Sequence, residues 1–209
     1  MPYLDLSHLL HNDISIFPGA SQPNFDIIHT IAEHGFTERS IQMTSHMNTH
    51  IDAPIHILEG TKTLDQFPLE KFIGSATVVD CSHCQTITIN HLKPFEEKIA
   101  QHDFLLFYTG WQHKWGKAAY AKDFPTLVPQ ATQWLLQFKL KAIGFDVLSP
   151  DPVSSTLLPN HKILLNKEVL IIENLNNLDQ LLDQSFTLYC LPLPIQDADG
   201  APVRVIAQL

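Results

Sequence analysis

The sequence has few cysteines, few basic residues and no long apolar run, and each shortage excludes a class of protein. Three cysteines in 209 residues are too few, and odd in number, for a disulfide framework. The 13 Lys and Arg are scattered and outnumbered by 22 Asp and Glu, so nucleic-acid phosphates would be repelled. No stretch approaches the roughly 20 apolar residues that span a bilayer, and the N-terminus lacks the pattern of a signal peptide. We therefore predict a soluble cytoplasmic protein with no nucleic-acid or membrane partner.

The length and the apolar content set the size of the core. A chain of 209 residues with 44% hydrophobic content suffices for one core and is short for two, so residues 1–209 are predicted to form a single domain. Short segments rich in β-branched and aromatic residues alternate with segments of helical apolar spacing, which indicates an α/β class. The predicted strands are 25–29, 40–43, 76–80, 104–108, 142–146, 169–173 and 186–190, and the predicted helices are 92–100, 128–138 and 177–182.

Cys81 and Cys84 have the spacing of redox and zinc sites. No second pair follows them, and nothing around them suggests a thioredoxin-like unit. We interpret Cys81 as the end of strand 76–80 and Cys84 as part of the loop beyond it.

The sequence is rich in histidine, with 12 residues, and three of these stand close together with an aspartate at even-numbered positions. Even positions share one face of an extended chain. On a helix the same four would spread over an arc of roughly 160°, and Pro54 would break that helix. The extended interpretation is therefore favoured. The four residues are His46, His50, Asp52 and His56.

A straight strand would still keep the first two histidines apart. The backbones of His46 and His50 would lie about 13 Å from each other, whereas ligand nitrogens on one ion must meet within about 4 Å. The chain must bend between them, and Asn48 is among the few non-glycine residues that tolerate a left-handed conformation. His46, His50 and Asp52 can then surround one divalent ion with a position left open.

The alternative is a surface loop that binds nothing, which is the usual fate of single histidines. The neighbours Ala53, Pro54 and Ile55 make the segment apolar, and unpaired His and Asp side chains would be costly to bury there. The set as a whole therefore favours metal binding.

The segment from His46 to His56 resembles the signature HxGTHxDxPxH of the metal-dependent cyclase family, which includes bacterial kynurenine formamidase and isatin hydrolase. It departs from that signature only at Asn48, which stands in place of the glycine. Weaker motifs in the same order extend the resemblance over nearly the whole chain. They are Asp5-Leu6-Ser7, Phe17-Pro18-Gly19, Tyr108-Thr109-Gly110-Trp111 and Asp199-Gly200-Ala201-Pro202-Val203-Arg204.

The resemblance also implies a complete ligand set. His46, His50, Asp52 and Glu173 would surround one ion, while Asp52, His161 and Glu173 would hold a second, with both carboxylates bridging. Without the resemblance, Glu173 would be interpreted as a carboxylate at a strand end. One or two ions are expected per subunit, with zinc favoured and manganese possible, because histidine and carboxylate ligands accept both.

The family likeness implies a swivelling β/β/α fold, a homodimer or higher assembly, and hydrolysis of amide bonds in small molecules such as arylformamides or lactams. His56 lies beyond Pro54 and is predicted to act as general acid and base, with a role as a further ligand as the alternative. Phe17 would offer an aromatic face to the substrate. A metal-dependent cyclase or dehydratase, and a metal-binding protein without catalysis, are the alternative functions.

Overall fold

Strands form most of the regular structure in residues 2–209, the part of the chain that this computed structural model describes. The strands are β1 (Tyr3–Asp5), β2 (Asn24–His29), β3 (Glu38–Gln42), β4 (His50–Asp52), β5 (Ile73–Asp80), β6 (Thr86–Ile87), β7 (Phe104–Tyr108), β8 (Thr126–Leu127), β9 (Ala142–Phe145), β10 (Leu170–Glu173), β11 (Ser185–Pro192) and β12 (Gly200–Gln208). The α-helices are α1 (Ile31–His34), α2 (Ile89–Leu92), α3 (Glu96–Ala100), α4 (Pro129–Leu135) and α5 (Pro159–Leu165).

Seven strands close into a barrel. The sheet runs in the order β1-β12-β11-β5-β7-β9-β10-β4, and β4 pairs again with β12, which completes the ring. The four strands from β5 through β7 and β9 to β10 run parallel, whereas the pairings of β4 are antiparallel. The α/β class is therefore confirmed, and the short strand β4 is the element that closes the sheet.

Strand β7 shows why several strands are apolar throughout. Successive side chains point to opposite faces of a strand. Phe104 and Leu106 therefore join the core on one side of the sheet, while Leu105 and Phe107 join the core on the other side. All four are fully buried. Burying each such side chain contributes about 1.5–3 kcal/mol, so both faces of the parallel strands help to hold the barrel together.

All seven predicted strands are present, with ends shifted by up to three residues, but the helix predictions need correction. The predicted helix 92–100 is α2 and α3 joined by a 3-10 turn at Lys93–Phe95, where Pro94 removes a backbone donor. The segment 177–182 contains only the 3-10 turn Leu178–Leu181. The helix predicted at 128–138 is confirmed over Pro129–Leu135, which is α4. Within residues 2–209, no helix is long and apolar enough to cross a membrane.

The prediction for the cysteines agrees with the structure. Cys81 follows β5 and is buried, and Cys84 lies three residues on at intermediate exposure. Burial raises the pKa of the Cys81 thiol, so it is a poor nucleophile at neutral pH.

Candidate metal centre

The bend that the sequence predicts between His46 and His50 is present. Asn48 adopts a left-handed conformation with φ of 59°, and it turns the chain into β4. The two imidazole rings then face each other edge to face, with ring centroids 5.3 Å apart. Only part of the segment is extended, however, because His56 ends a 3-10 turn that begins at Pro54. The prediction that positions 46–56 share one face of an extended chain therefore holds for β4 and does not extend to His56.

One group of candidate ligands lies at this bend. Asp52 Oδ1 is 2.7 Å from His46 Nδ1 and 3.3 Å from His50 Nε2. Barrel closure adds Glu173, because β10 pairs with β4 and sets Glu173 opposite His50 in the register. Glu173 Oε2 is 3.3 Å from His50 Nε2. The structure thus brings together the four residues expected around the first ion.

A second group shares two of those residues. His161, on α5, has its Nε2 atom 3.8 Å from Asp52 Oδ2 and 3.4 Å from Glu173 Oε1. Ligand atoms of Asp52, His161 and Glu173 all lie within 4.8 Å of one another, as do those of His46, His50 and Asp52. The two oxygens of each carboxylate face different histidines. Such an arrangement suits bridging carboxylates between two adjacent ions.

The charges in this cluster call for a cation. Asp52 Oδ2 and Glu173 Oε1 are buried and have no hydrogen-bond partner among the described residues. Burial alone would lower the pKa of His50, but hydrogen bonds to Asp52 and Glu173 outweigh it and raise that pKa well above its usual value. Burial likewise lowers the pKa of His161, yet the hydrogen bond to Asp151 and the nearby Glu173 carboxylate raise it to about 10. Because buried carboxylates need positive charge beside them, the residues present fit a divalent ion.

Two of the histidines are oriented from behind by buried acceptors. His50 Nδ1 donates to the Asn48 carbonyl at 2.8 Å, and His161 Nδ1 donates to Asp151 Oδ2 at 2.7 Å. Asp151 is fully buried and also accepts the backbone N–H groups of Asn160 and His161 at the start of α5. Each outer hydrogen bond leaves Nε2 directed at the carboxylates, as in histidines that bind metals.

The third histidine has a different outer partner. His46 presents Nδ1 to Asp52, and its Nε2 lies 2.9 Å from Asp199 Oδ2. The Asp199 side chain is 46% exposed, in contrast to Asp151. Gly200 packs against the same ring, since a Cβ added there would lie 2.5 Å from His46 Cε1. His46 is therefore held between a solvent-facing carboxylate and a position that only glycine can occupy without a shift.

His56 lies beside the two groups. Its ring packs against that of His46 at a tilt of 32° with centroids 3.7 Å apart, and its centroid is 6.1 Å from that of His161. Burial lowers the pKa of His56, so the imidazole is neutral at neutral pH and able to accept a proton. His56 Nδ1 is also 3.9 Å from Asp199 Oδ2, and His46, His56 and Asp199 form a third group with metal-ligand spacing. Both the acid–base prediction and the ligand alternative therefore stay open.

Two residues of this site were missed as functional residues in the sequence. Asp199 was noted only as part of a motif, and Asp151 was not noted at all. The carboxylate at position 151 stands ten residues before His161, and no periodicity in the sequence connects them. The residues before it give no signal either, because Asp146, Ser149 and Pro150 interrupt the apolar positions there.

A cavity of about 280 Å³ opens beside the candidate ligands. His46, His50, His161 and Glu173 form one wall, and His56 lines it as well. Phe17, which is 43% exposed, lies in the wall, and its contact with substrate stays a prediction. The cavity thus gives a small molecule access to the cluster.

Comparison with known proteins agrees with this geometry. The model of the Cyclase family, described as "Putative cyclase", matches residues 4–152. The chain belongs to this family. This cyclase-family chain is 31% identical over 210 residues to a kynurenine formamidase from Bacillus anthracis. The alignment covers 98% of this chain and 96% of that protein. It is 32% identical over 205 residues to a kynurenine formamidase from Geobacillus thermodenitrificans. That alignment covers 97% of this chain and 95% of the relative.

Solved structures share the fold of this cyclase-family chain. Isatin hydrolase A from Labrenzia aggregata superposes with a TM-score of 0.89 at 24% identity, covering 99% of this chain and 93% of that one. A protein described as a predicted metal-dependent hydrolase from Bacillus stearothermophilus gives a TM-score of 0.83 at 27% identity. The superposition covers 99% of this chain and 97% of that one. The expected cyclase-like fold is therefore confirmed.

Proposed function

We propose that this cyclase-family chain is a metal-dependent hydrolase of small-molecule amides other than peptides. The observation that carries the proposal is the pair of overlapping ligand groups, joined through Asp52 and Glu173, beside a cavity of about 280 Å³. A set of histidines and carboxylates with an open side suits a catalytic ion better than a structural one. The names of its relatives, kynurenine formamidase and isatin hydrolase, support the same class of C–N bond cleavage.

Each residue would have a distinct task in this reaction. His46, His50, Asp52 and Glu173 would hold one ion, and Asp52 and Glu173 with His161 would hold the other. When bound, such ions polarise a carbonyl and make a nearby water more acidic. Hydrolysis adds this water across the C–N bond, so that the carbonyl carbon gains the hydroxyl and the nitrogen gains a proton.

His56 would carry protons in this reaction. Its ring is neutral at neutral pH because burial lowers its pKa, so it can take a proton from the attacking water. The protonated ring can then give that proton to the departing nitrogen. The contact between the His56 and His46 rings keeps His56 at the edge of the ligand cluster.

The substrate class that we propose is an arylformamide or a lactam. Phe17 and the other apolar residues of the cavity wall offer surfaces on which an aromatic ring can pack. The relatives named kynurenine formamidase support the first class, and the structural likeness to isatin hydrolase agrees with the second. We propose zinc as the favoured metal, with manganese as the alternative, and one or two ions per subunit.

A homodimer or higher homo-oligomer is also proposed. Strands β2 and β3, with α1 between them, form a separate two-stranded hairpin, and nearly all of its residues are exposed. An isolated two-stranded hairpin is marginally stable in water, and this one exposes Ile27, Ile31, Phe36 and Ile41. A second copy that covers this hairpin would explain its apolar surface. The cytoplasmic location stays a prediction that cell fractionation would test.

The experiment that tests the proposed function combines elemental analysis with an activity assay. Purified protein loaded with zinc or manganese is expected to hold one or two equivalents and to hydrolyse N-formylkynurenine, formanilide or a cyclic lactam. Chelation should abolish hydrolysis, and added metal should restore it. His56→Ala is the matched variant, because it should keep the metal and lose most of the activity.

The opposite results identify the alternatives. Protein that holds metal yet is inert toward formamides, lactams and esters would favour a binding protein without catalysis. A cyclised or dehydrated product would identify a cyclase or dehydratase instead. Protein that binds no metal after reconstitution would contradict the central proposal.

A further inference from the structure

Much of the cavity wall outside the candidate ligands is apolar. Its apolar residues are Ile16, Phe17, Ala20, Met47, Leu148 and Leu158. No Lys or Arg occurs among the described residues that line the cavity, and its one carboxylate is Glu173 of the metal cluster. A substrate group that extends past the metal cluster therefore meets hydrocarbon or uncharged polar surface.

Most polar side chains in this wall make hydrogen bonds within the protein, and the exception among the described residues is the side-chain oxygen of Asn48, which has no partner. Ser15 Oγ accepts the Gly116 N–H at 2.9 Å, and Ser149 Oγ accepts the Asp151 N–H at 3.2 Å. Asn174 Nδ2 donates to the carbonyl of the neighbouring wall residue Asn48 at 2.8 Å. All of these groups are neutral, so none provides the counter-charge that an ionised substituent requires.

We infer that the cavity selects substrates whose aryl group carries no ionised substituent. This inference rests on the proposed function and narrows it to uncharged aryl formamides and lactams. N-formylkynurenine bears an ammonium and a carboxylate on its side chain, so it is expected to be a poorer substrate than the uncharged compounds. Moving such charges from water onto an apolar wall is costly unless they are paired.

The volume of the cavity is consistent with a small aromatic substrate. A cavity of about 150 Å³ admits benzene, and the cavity here measures about 280 Å³. One ring with a short substituent is therefore accommodated beside the cluster. A longer substituent must run along the wall past Phe17 or leave through the open side.

The test compares three substrates that share the same formamide and ring. The first is N-formylkynurenine, the second replaces its amino-acid side chain with a methyl ketone, and the third carries an uncharged butyl ketone of similar length. The metal-loaded protein is expected to show kcat/KM at least about 100-fold higher for both uncharged substrates than for N-formylkynurenine, because the charges stay unpaired. A low value for the butyl ketone as well would indicate selection by size and would overturn the inference.

A variant at the cavity wall tests the role of charge directly. Ala20→Arg would place a cation at the exposed turn beside the cavity, and Ala20→Gln is the uncharged control. The arginine variant should narrow the preference for the uncharged substrates about tenfold by pairing the carboxylate, whereas the glutamine variant should leave the preference unchanged. Equal effects of the two substitutions would contradict selection by charge.

Binding measurements keep this inference distinct from the proposed function. Calorimetry with the metal-loaded protein would compare kynurenine with 2′-aminoacetophenone, the corresponding uncharged product. Tighter binding of the uncharged amine supports the inference even if no substrate is hydrolysed, a result that would overturn the hydrolase proposal alone. If N-formylkynurenine is hydrolysed as fast as the uncharged substrates, the hydrolase proposal stands and the inference is wrong.

Discussion

The two candidate ligand groups share Asp52 and Glu173, but their histidines are held in different ways. His161 is fixed by Asp151, which is fully buried and also binds the first backbone N–H groups of α5. His46 is fixed by Asp199, whose side chain is 46% exposed and competes with water. An outer carboxylate contributes more when water is excluded, because the effective dielectric constant is lower. The group at His161 should therefore be the more rigid of the two.

The largest effect is expected from the residue that the two groups share. Asp52→Ala should empty both ion positions, since one oxygen of Asp52 faces His46 and His50 while the other faces His161. Elemental analysis of the reconstituted variant would measure the loss, and circular dichroism would establish that the barrel has folded. Asp52→Asn is the control for shape, because it keeps the side-chain volume and loses the charge. Full metal content in folded Asp52→Ala would show that the groups are not joined through this carboxylate.

The buried outer carboxylate should give the next largest effect. Asp151→Asn keeps the shape of the side chain but weakens its hold on His161, and outer-partner substitutions typically cost about 10–100-fold in metal affinity. The loss should fall on one of two binding steps in a calorimetric titration of metal-free protein. A uniform loss at both steps would indicate that Asp151 acts on the fold of α5 rather than on the orientation of His161.

The dependence of metal binding on pH should sharpen the same contrast. The pKa of His161 is raised to about 10 in the metal-free protein, so a metal ion must displace a proton from it at neutral pH. Apparent affinity at this group should rise by up to about tenfold per pH unit between pH 7 and 9. Competition with a chelator at several pH values would measure the slope, and a flat profile would contradict the raised pKa.

The same raised pKa has a consequence for the stability of the metal-free protein. A group whose pKa is higher in the folded than in the unfolded state contributes stability that is fully present below its unfolded value, here 6.5. That contribution is lost as the pH rises toward 10. Metal-free protein should therefore melt at lower temperature as the pH rises from 7 to 9, while metal-loaded protein should be protected over the same range.

The sequence could predict the part of the site that lies within residues 46–56, but not how His161 and Glu173 reach it. The residues of 46–56 are close in sequence, so their spacing and the conformational tolerance of Asn48 were enough to predict the bend. His161 and Glu173 are brought to the cluster by the closure of the barrel, in which β4 pairs with β10 and β12. Pairing between distant segments leaves no local pattern, and β4 itself is only three residues long.

The strands buried on both faces could be predicted because they do leave a local pattern in the sequence. Runs such as 104–108 are apolar at every position, and that composition alone marks a covered parallel strand. Strand β12 was missed because Gly200 and Pro202 at its start are unusual in strands. The structure explains this glycine, since a side chain at position 200 would collide with His46.

The smallest effect is expected from the exposed outer carboxylate. Asp199→Asn should weaken metal binding at the His46 group by less than about tenfold, because hydrogen bonds and charges open to water are screened. Gly200→Ala is the neighbouring comparison, and it should cost more than Asp199→Asn because its Cβ would lie 2.5 Å from His46 Cε1 and displace the ring. Both effects should appear in the binding step that Asp151→Asn leaves unchanged. If Asp199→Asn instead costs as much as Asp151→Asn, water does not weaken the outer partner of His46, and the two groups are equally rigid.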